Sequence, residues 1–419
     1  MCALLVGLSD VRVVGVGDWP RWLRITIEST TGRPCCAACG TSAHGHGRRE
    51  VTLVDLPVFG RPTRLAWSKR RWRCPSCRRS WTECDPTIGS SRCALTARAG
   101  RWATVQVGRH GRSVADVAVE LGCDWHTVMD AVTAWGRPLI DDPNRFGPVD
   151  AVGLDETLCV RVGRYRTQVW STQIVDVRRG QLLDVIAGRR SGPACAWFAA
   201  RPPGWCGRIR WATLDLSAAY RTVFDTMLPD AVQVADPYHV IALANRVVDE
   251  TRRRVQNETL GHRGRKPDPL YRIRRRLITG SERLTEDGHE RLLELLADGD
   301  PDLHVFAAWT AKELVRRVYT QPDTTAARAW IEQLVVDFAE RWMPDEVRRL
   351  GRTLRVWIDQ IVAWHDARVS NGPTEAINNL IKRVKRVAFG FRRFDHYRTR
   401  ALLYASKPNW ALLNTLTPP

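Results

Sequence analysis

Ser370-Asn371-Gly372-Pro373-Thr374-Glu375-Ala376-Ile377-Asn378-Asn379-Leu380-Ile381-Lys382-Arg383-Val384-Lys385-Arg386-Val387-Ala388 opens with a turn signal and continues with helical periodicity. Pro373 suits the first helical turn, where a missing N–H costs nothing. At roughly 100° per residue, Ala376, Ile377, Leu380, Ile381, Val384, Val387 and Ala388 fill one arc of the wheel. Glu375, Asn378, Asn379, Lys382, Arg383, Lys385 and Arg386 fill the other. A carboxylate therefore shares a helix face with a row of cations, and Lys382 stands two turns beyond it. Phosphodiester chemistry needs both parts, a carboxylate to hold metal and cations to hold phosphate.

Two more acids belong with this helix. Asp155 follows the apolar run Ala151-Val152-Gly153-Leu154, and Asp215 follows Ile209-Arg210-Trp211-Ala212-Thr213-Leu214. Both are expected at strand ends, where an α/β sheet builds its ligand site. Taken alone, each of the three acids reads as a cap or a surface charge; only their constellation points to chemistry. Thr167–Val175 and Leu182–Ile186 read as further strands, with a helix candidate after them. From about 240 to 368 the pattern is helical, with one apolar stripe of Trp330, Leu334, Phe338 and Trp342. A second runs Val347, Leu350, Leu354, Ile358, Ile361, His365. Between Arg252 and Arg276 ten Lys/Arg face only Glu258 and Asp268, which is either a solvated face or a phosphate contact.

The first 90 residues carry short β-like runs (Val11–Val14, Trp22–Ile27, Thr63–Trp67) broken by Gly and Pro. Cys36-x-x-Cys39 and Cys74-x-x-Cys77 offer four thiolates for a closed, structural Zn²⁺ site. The 34 residues between the knuckles must hold a hairpin or two, and Cys35, Cys84, His44 and His46 are possible substitute ligands. From Arg48 to Trp81 ten Lys/Arg stand against two acids, with Trp67, Trp72 and Trp81 interleaved, which suits a basic zinc module touching DNA. Next, Ser113–Gly122 reads as an N-capped helix ending at glycine, and Asp124 caps a second one. The pair reads either as a helix-turn-helix offering Trp125, His126, Thr127 and Asp130 to a DNA groove or as a plain helical hairpin. Pro138 through Pro148 reads as a linker.

Composition agrees. The 419 residues suit two to four domains, and 44% hydrophobic with 26% charged residues excludes a disordered or fibrous chain. A net charge of +19, with 58 arginines and six lysines, predicts a polyanionic partner, nucleic acid before membrane. No apolar run approaches the roughly 20 residues of a membrane span. Met1–Leu8 lacks the basic start of a signal peptide. Twelve cysteines, only four of them in paired C-x-x-C spacing, fit a metal site with scattered thiols in a reducing cytoplasm.

Several motifs together resemble the ISL3 family of insertion-sequence transposases. They are Cys36-x-x-Cys39-Gly40, Asp55-Leu56-Pro57, Arg70-Arg71-Trp72-Arg73-Cys74, Gly153–Thr157, Leu214–Arg221, Ala235–Val240, Ser370–Asn379, Lys382–Arg386 and Gly390–Phe394. The resemblance implies a multidomain chain with an α/β, RNase H-like DDE core. Its parts would be a β-rich zinc-binding, DNA-contacting domain (1–92), a helix-turn-helix (93–140), the first part of the core (148–244), an α-helical insertion (245–368) and the second part of the core (369–419). Asp155, Asp215 and Glu375 would be the catalytic triad, holding two Mg²⁺ (or Mn²⁺) ions, whose charge lets three carboxylates stay close. Lys382 would contact DNA, with Asn378, Arg383, Lys385, Arg386, Arg70, Arg71 and Arg73 as further contacts. Asp236 and His239 would stand behind the ligands, although His239 also reads as a structural histidine. Pro237 departs from the basic residue expected beside Asp236. The implied activity is cleavage and strand transfer at terminal inverted repeats, without a covalent protein intermediate. Duplex DNA would be the partner, for a homodimer or higher oligomer at the bacterial nucleoid. Competing readings are a DNA-binding regulator with an inactive core, and a junction-resolving nuclease.

Overall fold

The computed structural model describes residues 6–90 and 93–417. Cys2, most of the Met1–Leu8 opening, and Arg92 at the expected first boundary lie outside the described residues.

Five strands form the N-terminal sheet: β1 (Val11–Asp18), β2 (Leu23–Ser29), β3 (His44–Val58), β4 (Arg61–Arg73) and β5 (Ser80–Thr82). Their order is β1-β2-β4-β3, with β5 on the free stretch of β4. Along β4 Thr63, Leu65, Trp67 and Lys69 are buried, the period of two of a half-covered strand. Trp67 and Trp72 are thus core residues and are not free to meet DNA. One hairpin fills the gap between the cysteine knuckles, turning at Phe59-Gly60 with positive φ at both residues, the geometry whose twist matches paired strands.

Helices Ala97–Thr104, Val114–Leu121 and Trp125–Ile140 follow. Ser113 Oγ accepts from the Asp116 amide, and Gly122, at φ 64°, ends the second helix. The expected linker begins later than Pro138. That proline lies inside the third helix, whose last turn is held by the buried Leu139 and Ile140.

The second sheet has the order β10-β9-β6-β7-β8, from β6 (Ala151–Val162), β7 (Thr167–Asp176), β8 (Gln181–Ala187), β9 (Trp211–Leu214) and β10 (Val232–Ala235). β6, β9 and β10 are parallel, while β6, β7 and β8 run antiparallel. Both faces are covered, and successive residues serve different cores. Val152, Leu154, Ile174 and Leu183 join Val247, Val305 and Leu350 of the helical region. Ala151, Val175 and Leu182 join Val128, Trp135 and Leu139 together with Tyr397 and Leu402. The expected apolar stripes need two corrections. Trp342 lies beyond the Thr324–Asp337 helix and is 65% exposed. Val347 to His365 spans three short helices, Asp345–Val356, Ile358–Val362 and Trp364–Ala367.

Candidate active site and metal centre

Asp155 does not end its strand, as the sequence suggested. β6 continues to Val162 because β7 pairs with it throughout, whereas the parallel partner β9 stops at the Leu154–Leu214 pair. Asp155 and Asp215 are thus the first residues past that pair, side by side on neighbouring strands.

Glu375 reaches this point on the first turn of the Gly372–Val387 helix. A glycine permits the approach. A Cβ on Gly153 would sit 2.7 Å from both Thr374 Oγ1 and Thr213 Oγ1. The glutamate helix therefore rests on β6 two residues before Asp155. One turn on, Asn378 Nδ2 donates to Asp155 Oδ2 at 2.6 Å, and the Glu156 amide donates to Asp155 Oδ1 at 2.7 Å.

Asp236 secures the other side. Its Oδ2 accepts from the His239 amide (3.3 Å), capping the Pro237–Leu260 helix. Its Oδ1 accepts from the Asn371 amide at 2.8 Å, catching the chain as it enters the glutamate helix. Pro237 occupies the first helical position, so the departure from a basic residue has a structural reason. His239 Nε2 lies 3.3 Å from Glu375 Oε1.

The electrostatics are those of crowded, partly buried carboxyls. Burial and the Asp155 charge push Asp215 up to about 6, against the pull of His239. Burial also raises Asp155, with the Glu156 amide and His239 opposing it. Asp215 Oδ1 is buried with no hydrogen-bond partner. An oxygen so placed beside the Asp155 carboxyl, which itself feels the charge of Glu375, fits a divalent cation bound through hard oxygen donors.

Other expected site residues divide. Lys382, Arg383 and Arg386 are exposed and form no ion pair among the described residues. Three residues are already engaged within the protein. Asn378 is buried on Asp155. Lys385 Nζ donates to the Leu158 carbonyl at 2.6 Å. Arg70 bonds Glu83 through Nε (2.8 Å) and Thr31 through its terminal nitrogens (2.7 and 2.6 Å). Arg71 is exposed and Arg73 half-buried. Trp125 and His126 are exposed and Thr127 half-buried, and the Trp125 ring also leans on His396, with centroids 5.7 Å apart. The Gly153 seat and the second bond of Asp236 were not anticipated. A glycine inside an apolar strand was the available signal.

In the N-terminal sheet, ligand atoms of Cys36, Cys39, Cys74 and Cys77 lie within 4.8 Å of one another. The His44–Arg73 pairing at the foot of the hairpin sets the two knuckles side by side. All four thiols are free, and Cys35, Cys84, His44 and His46 stand outside the cluster. The Thr41 hydroxyl pulls Cys39 down to about 6. Four sulfurs at this spacing are the donor set of structural Zn²⁺. Asp55 of the Asp-Leu-Pro run is wholly buried and bonds Thr96 Oγ1 (2.7 Å) and Arg98 Nε (2.8 Å), tying the sheet to the first helix.

Comparison with known proteins bears on the zinc centre and on the family of the chain. Residues 32–77 match the zinc-finger of transposases of the elements IS204, IS1001, IS1096 and IS1165, which supports structural Zn²⁺ on the four cysteines. The chain is 27% identical over 390 residues to the transposase for insertion sequence element IS1001 of Bordetella parapertussis, covering 91% of this chain and 92% of that one. It is 28% identical over 291 residues to the transposase for element IS1557 of Mycobacterium tuberculosis H37Rv, covering 64% and 63%. Among the described residues no helix is long and apolar enough to cross a membrane. Residues 152–401, more than half of the 419, match the ISL3 group of DDE transposases, and the chain belongs to that family.

Proposed function

We propose that this protein is a DDE transposase that binds the terminal inverted repeats of its element and carries out metal-dependent strand cleavage and strand transfer. The observation that carries the reading is the convergence of Asp155, Asp215 and Glu375, with a buried, unpartnered Asp215 oxygen, beside the exposed cations Lys382, Arg383 and Arg386. The mixed sheet, with both aspartates just past the last pair of the parallel β6–β9 ladder, supports an RNase H-like core. Asp155, Asp215 and Glu375 would hold Mg²⁺ or Mn²⁺, which when bound supplies Lewis acidity at the scissile phosphate and makes water a stronger nucleophile.

The chain's own groups do the rest. Asn378 fixes the rotamer of Asp155, and with the Glu156 amide on the other oxygen each carboxylate oxygen keeps a lone pair for a further partner. Asp236 holds the helices of His239 and Glu375 in one register, which sets His239 Nε2 3.3 Å from the glutamate. Lys382 and Arg383 grip phosphates flanking the cut. The zinc module and the Val114–Leu121/Trp125–Ile140 pair, as a helix-turn-helix, recognise the element's ends through the exposed Arg71, Trp125 and His126 and the half-buried Arg73 and Thr127. A homodimer or higher oligomer on DNA would let two ends be joined to one target.

The test is nicking of a duplex carrying the element's end in Mg²⁺ or Mn²⁺. Asp155→Asn, Asp215→Asn and Glu375→Gln should each lower the rate on the order of a thousandfold or more, with end affinity nearly unchanged. Wild-type rates in all three variants would refute the reading.

A further inference from the structure

A cavity of about 760 Å³ opens between the Pro237–Leu260 helix and the segment 263–278. Six arginines line it: Arg246, Arg252, Arg253, Arg263, Arg274 and Arg275. The only acid among its lining residues, Asp249, is taken up by Arg252 (2.5 Å) and Arg253 (2.6 Å). Arg252 is structural. It is 4% exposed and bonds Asp249, Gln256 and the Arg263 carbonyl, which pins the turn that carries Arg263. Arg274 lies over the Tyr271 ring at 3.9 Å. Arg246, Arg263 and Arg275, by contrast, are exposed and form no ion pair among the described residues. A second basic surface, with Lys266, Arg272, Arg276 and Arg291, adjoins it across Tyr271 and Arg274.

The groove is aligned with the active site. Ala242, Arg246, Asp249 and Arg253 follow His239 at three- and four-residue steps, a single stripe on the helix. His239 touches Glu375, so the stripe starts at the catalytic carboxylates. At 1.5 Å per residue, Arg246 and Arg253 lie roughly 10 and 21 Å further along it. Uncompensated guanidinium groups desolvate poorly unless an anion meets them, and their planar forks match phosphate.

We infer that this groove is a second DNA surface, carrying the phosphate backbone of the duplex that leads away from the scissile phosphate. The inference rests on the transposase reading. At about 3.4 Å per base pair, the stretch of helix from Arg246 to the level of Arg253 runs beside phosphates some three to six base pairs from the cut. The contact is with backbone and reads no sequence.

The experiment compares full-length protein with Arg246→Ala, Arg263→Ala and Arg275→Ala, and with the Arg→Lys changes at the same positions. End duplexes extend beyond the cut by about two or about eight base pairs on either side. On one of the longer duplexes each alanine should lower the log–log salt slope by about 0.9, equivalent to roughly eightfold in affinity at 0.1 M salt. Lysine should restore the slope, and the short duplexes should bind all variants alike. An unchanged slope on both long duplexes, or an equal loss on the short ones, overturns the groove while wild-type cleavage still stands. Wild-type protein that neither binds nor nicks any of the duplexes removes the function and the groove together.

Discussion

Cys36, Cys39, Cys74 and Cys77 are brought together by one hairpin, whereas Asp155, Asp215 and Glu375 come from two strands and a helix 60 and 160 residues apart. The thiols converge because a local pairing, His44 with Arg73, places both knuckles. The carboxyls converge because three long-range devices override their repulsion: the β6–β9 pairing, the glycine seat under Thr374, and the Asp236 bonds. One site is therefore part of what folds its region. The other is a charged assembly that the rest of the fold holds in place.

That contrast can be broken. The largest effect is expected at the thiols. Cys74→Ser should remove zinc, about one ion per chain in the wild type, and with it the order of the N-terminal sheet, since apparent zinc binding in such modules is worth on the order of 10 kcal/mol. Metal analysis with proteolysis checks it. Full zinc occupancy, or an intact sheet without metal, would make the thiols as dispensable to folding as the carboxylates.

Next comes the seat of the glutamate. Gly153→Ala pushes Thr374 away and moves Glu375 by a fraction of an ångström to an ångström. A shift of that size should lower cleavage by about a hundredfold while zinc content stays constant. Gly153→Ala paired with Thr374→Ala should recover part of the loss, because the clash on the glutamate helix is gone while those with Thr213 and Val177 remain. No loss in the single variant would mean that the scaffold does not hold the carboxyls tightly.

The smallest effect sharpens the comparison. Asp215 has its carboxyl raised to about 6, so between about pH 4 and 6 the folded state holds a proton that the unfolded chain has released. Its contribution is favourable at low pH and is lost as pH rises through about 6. In chelator at pH 7, Asp215→Asn should therefore raise the melting temperature, on the order of 2 °C, while abolishing cleavage. The gain should fade below about pH 4. A variant less stable at pH 7 would show that the carboxylate supports the fold as the thiols do.

Sequence periodicity was legible wherever one element had one partner environment. The β4 strand, the helix capped by Ser113 and the buried Ile377, Ile381 and Val384 of the glutamate helix fall as expected, whereas Asp124 precedes the next helix without a side-chain cap bond. It failed where a long-range partner decides. Asp155 sits mid-strand because β7 outlasts β9. Asn378 lies on the polar arc of the wheel yet faces inward, because Asp155 lies across from it. Arg70 and Lys385 look like free cations until Glu83, Thr31 and the Leu158 carbonyl are seen. Residues 93–140 read as a helix-turn-helix domain, but Val132, Trp135 and Leu139 share a core with Tyr397 and Leu402. A fragment ending at residue 140 would expose that surface, so DNA-end recognition is best measured on the full chain.

The two bonds of Asp236 give the molecule an unusual kind of modularity. The chain leaves the sheet at this carboxylate, runs through the helices to Val369, and returns to the same carboxylate at the Asn371 amide. Everything between is an excursion whose two ends are already joined, so its length adds little to the entropy of closing the catalytic geometry. Shortening, extending or exchanging that excursion is thus open to evolution without re-learning the chemistry, as long as the clasp at its neck survives.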